Sequence, residues 1–269
     1  MESKSSIEQS TIDHKINRAI GKAIARFDLI ADGDRILVAV SGGKDSLCML
    51  YYLQAYQRKA PVNFDILAVN VDQKQPGFDV DHMPRLFQSW EVPYQIVEQD
   101  TYSVVLDKTP VGKSYCSVCS RLRRGILYET ARKFNCNKVA LGHHMDDVLE
   151  TFLLNTFFSG KLASMPARYQ TDKDGIEVIR PLFYVREDWV SALSQELNWP
   201  IMPCNLCGSQ ENMQRQAMKD LLSTLHRKYP KLKETAMASL HNVDVDFLYD
   251  DRHWTLPVPH SEKSHTMGE

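Results

Sequence analysis

The sequence predicts an α/β fold built on a doubly wound parallel sheet. Three observations carry that expectation: short β-branched runs without polar alternation, helical stretches placed between them, and a glycine-rich turn directly after the first run. The elements follow in chain order. Ile12, Ile16, Ala19, Ile20, Ala23, Ile24 and Phe27 recur at helical spacing, so an amphipathic helix precedes the main domain and ends at "ADGD". "RILVAV" (35–40) and "FDILAVNVD" (64–72) read as strands covered on both faces, and "KDSLCMLYYLQAY" between them is long enough for a crossover helix. "YQIVE" (94–98) and "KVALG" (138–142) read as the third and fourth strands, the latter with helical sequence on both sides.

Beyond "DDVLETFLLNTFFSG" the texture changes. The segment from Gly160 to Gly175 is richer in polar and turn residues, and "VIRPLFYV" is the run that could close the sheet. Helical stretches follow around "REDWVSALSQELN" and "SQENMQRQAMKDLLSTLHRKY". The tail beyond Val243, with Asp244, Asp246, Asp250, Asp251, Pro257 and Pro259, reads as a weakly packed end. The expected organisation is a helical segment over 1–30, an α/β domain over 31–185, a helical region over 186–242 and the tail over 243–269. No internal repeat is visible.

A chain of 269 residues has room for one large core or two modest ones. A charged fraction of 25% beside a hydrophobic fraction of 43% is ordinary for a soluble protein, and no apolar run nears the roughly 20 residues of a membrane span. The polar start, "MESKSSIEQS", lacks the apolar stretch of a signal peptide, so a cytoplasmic location without a membrane partner is expected. The net charge of −2 gives no global pull toward nucleic acid. Locally, Lys108, Lys113, Arg121, Arg123, Arg124, Arg132, Lys133 and Lys138 face Glu129 as the lone acid in that stretch. Such a run either holds a phosphate backbone or is a solvated helix face.

The turn after the first strand is "SGGKDS". In an α/β sheet ligands bind beyond the carboxyl ends of strands, where a glycine turn lets backbone N–H groups reach phosphate oxygens at a helix amino terminus. A Walker A loop would need glycine at position 38 and a hydroxyl at 45, where this chain has Val38 and Asp45. Gly42 and Gly43 permit close backbone approach, Ser41 and Ser46 offer hydroxyls, Lys44 supplies charge, and Asp45 could hold Mg²⁺ or steer a substrate. The competing reading is a turn that merely links strand to helix. The pattern S-G-G-x-D-S resembles the PP-loop of the ATP pyrophosphatases, which implies cleavage of ATP between the α and β phosphates. "ALGHHMDDVLET" places Gly142, two histidines, Asp146 and Asp147 at a second strand end. Its acids could be simple helix caps, whereas a nucleotide or Mg²⁺ role for Asp147 is favoured beside "SGGKDS".

Of six cysteines, Cys48 and Cys136 stand in apolar surroundings as packing residues. The others form Cys116-x-x-Cys119 and Cys204-x-x-Cys207, the ligand count of a structural zinc site and equally of an iron–sulfur cluster.

"CSVCSRLRRGILYETA", "LGHHMDD", "SGKLASMP", "IRPL" and "PCNLCGSQENMQRQ", in that order after "SGGKDS", resemble the tRNA 2-thiocytidine synthetase family from about Arg35 to Tyr229. The resemblance implies an adenine nucleotide α-hydrolase-like (PP-loop) fold with an N-terminal helix and C-terminal helices. It also implies ATP and Mg²⁺ at Ser41, Gly42, Gly43, Lys44, Asp45, Ser46 and Gly142, and a [4Fe-4S] cluster on Cys116, Cys119 and Cys204, with Cys207 as the alternative third ligand. Catalytic roles fall to Asp45, Asp147 and Arg123, and contacts to tRNA to Arg121, Arg123 and Arg124. The implied reaction adenylates O2 of an anticodon-loop cytidine, position 32. Sulfide held on the open iron then attacks C2 and AMP leaves, giving 2-thiocytidine. Sulfur could arrive as free sulfide or from a cysteine desulfurase, and whether two chains pair as a homodimer is left open. Rival readings are a PP-loop ligase or amidotransferase component with structural zinc, and a non-catalytic nucleotide- or tRNA-binding module.

Overall fold

The computed structural model describes residues 4–74, 79–108, 115–171, 175–202 and 213–250. Six strands form one sheet: β1 (Asp34–Ala39), β2 (Phe64–Asp72), β3 (Tyr94–Glu98), β4 (Lys138–Ala140), β5 (Arg168–Gln170) and β6 (Glu177–Ile179), in the spatial order β3-β2-β1-β4-β6-β5. Among the described residues the pairs β1–β2, β2–β3, β1–β4 and β4–β6 are parallel, and the edge pair β5–β6 is antiparallel. The expected doubly wound sheet is present, with one antiparallel edge strand added. Chain order reverses between β1 and β4, the switch point beside which an open α/β sheet has room for a ligand.

The strands alternate between two cores, which explains why they lack polar alternation. Ile36, Val38, Val40, Ile66, Ala68, Ala140 and Ile179 face one core. That core also takes the buried sides of the helices α1 (Lys4–Phe27) and α2 (Lys44–Lys59). Leu37, Leu67, Val69, Val139 and Val178 face the other. There they meet Leu127 and Ala131 of α5 (Tyr115–Lys133), which follows the short helices α3 (His82–Ser89) and α4 (Thr101–Lys108). Burying each such aliphatic side chain contributes about 1.5–3 kcal/mol, so truncating one layer loosens the floor of the sheet edge above it.

α1 buries Ile16, Ile20 and Ala23, the stripe expected of it, and begins eight residues before Ile12 because the polar stretch ahead of that stripe continues the same helix. "VIRPLFYV" closes the parallel set only through Val178 and Ile179. At Pro181, which has no N–H to give a ladder, the chain turns through Phe183 N to Arg180 O (3.2 Å) and Val185 N to Leu182 O (2.8 Å). The region 160–175 supplies β5, with Arg168 and Gln170 exposed and therefore no hydrophobic signature.

Three helices complete the fold: α6 (Met145–Phe158), α7 (Glu187–Glu196) and α8 (Met213–Lys228), joined by a short α9 (Leu232–Ser239) against α6 and α8. In the tail, residues 243–250 hold a single 3-10 turn, Val245–Phe247, with Phe247 and Tyr249 exposed. Residues 251–269 lie outside the described residues. No helix among the described residues is long and apolar enough to cross a membrane.

Candidate active site

Val40 follows β1, held by Val40 N to Val69 O (2.8 Å), and the chain then makes the turn 41–43 before α2 begins. Gly42 sits at φ +85°, a left-handed conformation that costs other residues energy. A side chain there would also meet Met202 Cβ at 3.0 Å. The turn is knitted internally. Ser46 Oγ donates to Gly43 O (2.9 Å), accepts from Ser41 N (3.2 Å) and lies 3.3 Å from Ser41 Oγ. The first N–H groups of α2 thus stay at the mouth of the sheet, where helix amides and the helix dipole favour an anion.

Asp45, in the first turn of α2, has a buried Oδ1 with no hydrogen-bond partner among the described residues. Lys44 Nζ lies 3.1 Å from that oxygen and His144 Nε2 3.7 Å from it. Lys44 also reaches Glu187 Oε1 at 3.1 Å. Burial works against its charge, but Asp45 and Glu187 overcome this and raise its pKa, so it is a cation at neutral pH.

The second strand end closes over this turn. Gly142 comes so near that an added Cβ would stand 3.2 Å from backbone atoms of Asp45 and Ser46, so a side chain there would crowd the point where the two loops meet. α6 starts with a reciprocal cap: His144 Nδ1 accepts from Asp147 N (3.4 Å), and Asp147 Oδ2 accepts from His144 N (3.0 Å). Asp147 is therefore a cap as well as a candidate ligand, and its other oxygen accepts from Arg215 Nη2 of α8 at 2.8 Å. Burial pushes its carboxyl up, while His144 N–H and ring, His143 and Arg215 bring it below the ordinary value. Asp146 turns the other way: it accepts from Glu187 N (2.8 Å) and from the buried Lys233. Arg215 also bonds Glu150 (3.1 Å), and Lys219 bonds Glu187 (3.0 Å), so α8 adds two cations over the mouth. Arg180 donates to His143 Nδ1 (3.2 Å); burial and that guanidinium push His143 down to about 4, which leaves it neutral at pH 7.

The first cysteine pair stands at the amino end of α5, the helix that leads into β4, hence on the same edge of the sheet. Positions 116, 119 and 123 follow i, i+3, i+7 and share one helix face, whereas Arg121 and Arg124 share another and are exposed. Cys119 is buried, and its Sγ donates to Gln73 Oε1 at 3.1 Å. The side chain of Cys116, and Cys204 and Cys207 entirely, lie outside the described residues. Met202, two residues before Cys204, donates its N–H to Gly42 O at 2.9 Å.

A PP-loop domain model matches residues 10–222. The tRNA-cytidine(32) 2-sulfurtransferase of Tolumonas auensis is 48% identical over 252 residues, 94% of this chain and 83% of that protein. Those of Aliivibrio fischeri and Dechloromonas aromatica are 50% and 49% identical, covering 89% and 90% of this chain and 78% and 86% of theirs. The chain belongs to the tRNA-cytidine(32) 2-sulfurtransferase family. The fold agrees with that of the U34-tRNA thiolase NcsA from Methanococcus maripaludis, solved with its [4Fe-4S] cluster. That match has a TM-score of 0.68 at 24% identity and covers 88% of this chain and 82% of that one.

For a sulfurtransferase of this family the structure gathers Ser41, Gly42, Gly43, Lys44, Asp45, Ser46, Gly142 and Asp147 at one mouth. It also brings in His144, one of the two histidines noted in "ALGHHMDDVLET", and Glu187, Arg215 and Lys219, which the sequence did not single out. One reading is corrected. Lys138 does not belong to a basic surface: it is buried, pairs with Asp34 (2.8 Å) and Glu177 (3.2 Å) and donates to Leu29 O (2.9 Å). Cys48 and Cys136 are buried packing residues as expected, and burial pushes both thiols up.

Proposed function

We propose that this chain is an ATP-dependent tRNA sulfurtransferase that replaces O2 of an anticodon-loop cytidine, position 32, by sulfur. The observation that carries the reading is the bond from Met202 to Gly42, which ties the approach to the second cysteine pair to the phosphate turn. Met202 is the last described residue before that pair, so the described chain reaches the phosphate turn two residues ahead of Cys204 in sequence. Adenylation and sulfur delivery can then share one base.

ATP fits the turn through the N–H groups of 42–46 and the charge of Lys44, as a PP-loop requires. Asp45 Oδ1, paired in charge with Lys44 but without a hydrogen bond among the described residues, suits Mg²⁺. Among the described residues no three His, Cys, Asp or Glu side chains converge on a metal, so the ion would take its remaining ligands from phosphate oxygens and water. Attack of the cytidine O2 on the α phosphate expels pyrophosphate, and Lys44, Arg215 and Lys219 are the cations placed to receive that charge. Asp147, fixed by His144 and Arg215, steers the reacting end. A loop nucleotide reaches such a site at lower unstacking cost than a paired one.

Cys116, Cys119 and Cys204, with Cys207 as alternative for the last, are the thiolates that would hold a [4Fe-4S] cluster. Cys119 suits this as a sulfur near the amino end of α5, on the same helix as Cys116. Held by three thiolates, such a cluster would supply an open position to bind and acidify a sulfur nucleophile, delivered as free sulfide or by a cysteine desulfurase. Arg123 shares the helix face of the cysteine positions and is the candidate to act beside them, while Arg121 and Arg124 on the neighbouring face would take the tRNA backbone. Pyrophosphate release with bulk tRNA tests the first half: it should need tRNA and vanish in Asp45→Asn. Release without tRNA, or undiminished in the variant, counts against the reading.

A further inference from the structure

We propose that Gln73 is a positioning residue of the cysteine site, whose side-chain amide holds the Cys119 sulfur in a relay closed by Thr101. The inference rests on the reading of Cys119 as a metal-binding thiolate and adds a residue to it.

Gln73 is the first residue after β2, the strand beside the one that carries the phosphate turn. Its Oε1 accepts from Cys119 Sγ at 3.1 Å and from Thr101 Oγ1 at 3.2 Å. Thr101 and Cys119 are both buried and Gln73 is half-buried, so both bonds are partly shielded from water. The backbone around Gln73 is pinned from three sides. Tyr102 N donates to Gln73 O (3.2 Å), Gln99 N to Asp72 O (3.0 Å) and Lys74 N to Asp72 Oδ1 (2.8 Å). Lys74 is held at φ +59°, a conformation that costs a non-glycine residue energy and persists where surroundings enforce it. Cys119 also packs against Val105, Tyr102 and Leu122, so Gln73 meets the sulfur beside an apolar cluster.

The chemistry explains why an amide suits this position. In the thiol form, S–H donates to the carbonyl oxygen, as observed. A metal-bound cysteine is a thiolate and can only accept. An amide turned by half a revolution presents Nε2–H to the same sulfur, and the Thr101 hydroxyl, which donates in one state, accepts in the other. The trio therefore stays satisfied whether or not metal is bound. A hydrogen bond to a cluster thiolate stabilises the more negative, reduced state and so raises the reduction potential. It also orients the ligand, and loss of such an outer partner typically costs about 10–100-fold in metal affinity.

The test uses the full chain reconstituted anaerobically with iron and sulfide, comparing wild type, Gln73→Met and Thr101→Val. With iron content retained, Gln73→Met should make the cluster about tenfold harder to reduce, a midpoint ~59 mV lower for a one-electron couple. Thr101→Val should shift it the same way by less, and it provides the reading if Gln73→Met does not fold. Faster loss of iron to a chelator should accompany both shifts. Unchanged midpoint and chelator kinetics in both variants would overturn the role of Gln73. If wild type binds zinc and no iron, the cluster reading fails on its own. Gln73 is then judged by zinc competition, where a 10–100-fold weaker site in Gln73→Met supports it and equal affinity overturns it.

Discussion

Replacing Glu187 by Gln perturbs the ion network that fixes Lys44, and its size follows from the structure. Glu187 accepts from Lys44 at 3.1 Å and from Lys219 at 3.0 Å, with its side chain 23% exposed. Burial alone would raise its carboxyl, but the two lysines hold it at about 2, against an ordinary 4.5. A depressed carboxyl stabilises the fold above its unfolded value and loses that contribution as pH falls from 4.5 towards 2. The shift corresponds to about 3 kcal/mol at pH 7, declining to about 1 kcal/mol at pH 3. Urea titrations of the metal-free wild type and Glu187→Gln chains at both pH values read the difference directly. The variant should be less stable by roughly that amount at pH 7, with most of the gap gone at pH 3. An equal gap at the two pH values, or none at pH 7, would show that the lysines do not stabilise the ionised carboxyl.

Gly142→Ala forces a Cβ to 3.2 Å from the backbone of Asp45 and Ser46, and overpacking of this kind costs about 1–3 kcal/mol. Because the strain falls on the phosphate turn, ATP affinity measured by calorimetry should drop about tenfold or more. Lys138→Ala leaves Asp34 and Glu177 without their buried cation and should cost about 3–5 kcal/mol in denaturant titrations, while tRNA affinity stays unchanged. Arg121→Ala should instead weaken tRNA binding in filter assays and lower the slope of log K against log salt by about 0.7–1, with stability unaffected.

The contrast between Lys138 and Arg121 shows what the sequence could and could not reveal. β1 to β4 were legible because burial on both faces leaves unbroken apolar runs, and "SGGKDS" was legible because a phosphate turn needs its residues contiguous. Lys138 looks like any basic residue until Asp34 and Glu177 arrive from distant positions. Arg215, Lys219 and Glu187 are invisible for the same reason: their meaning lies in pairs formed across the fold. β5 offered no pattern because three residues with two exposed make no periodicity, and α3 carries Pro84 inside its first turn, which masks a helix. Gln73 falls between these cases: it adjoins a strand that was read correctly, but nothing local announces that its side chain ends on Cys119.

The central claim is that one edge of the sheet couples ATP cleavage to sulfur transfer onto cytidine. The direct measurement is mass spectrometry of nucleosides from tRNA incubated anaerobically with the iron-reconstituted chain, ATP, Mg²⁺ and sulfide. The account predicts 2-thiocytidine that depends on ATP and disappears with Cys119→Ala. A reconstituted, iron-bearing chain that releases pyrophosphate yet yields no thiolated cytidine would contradict it.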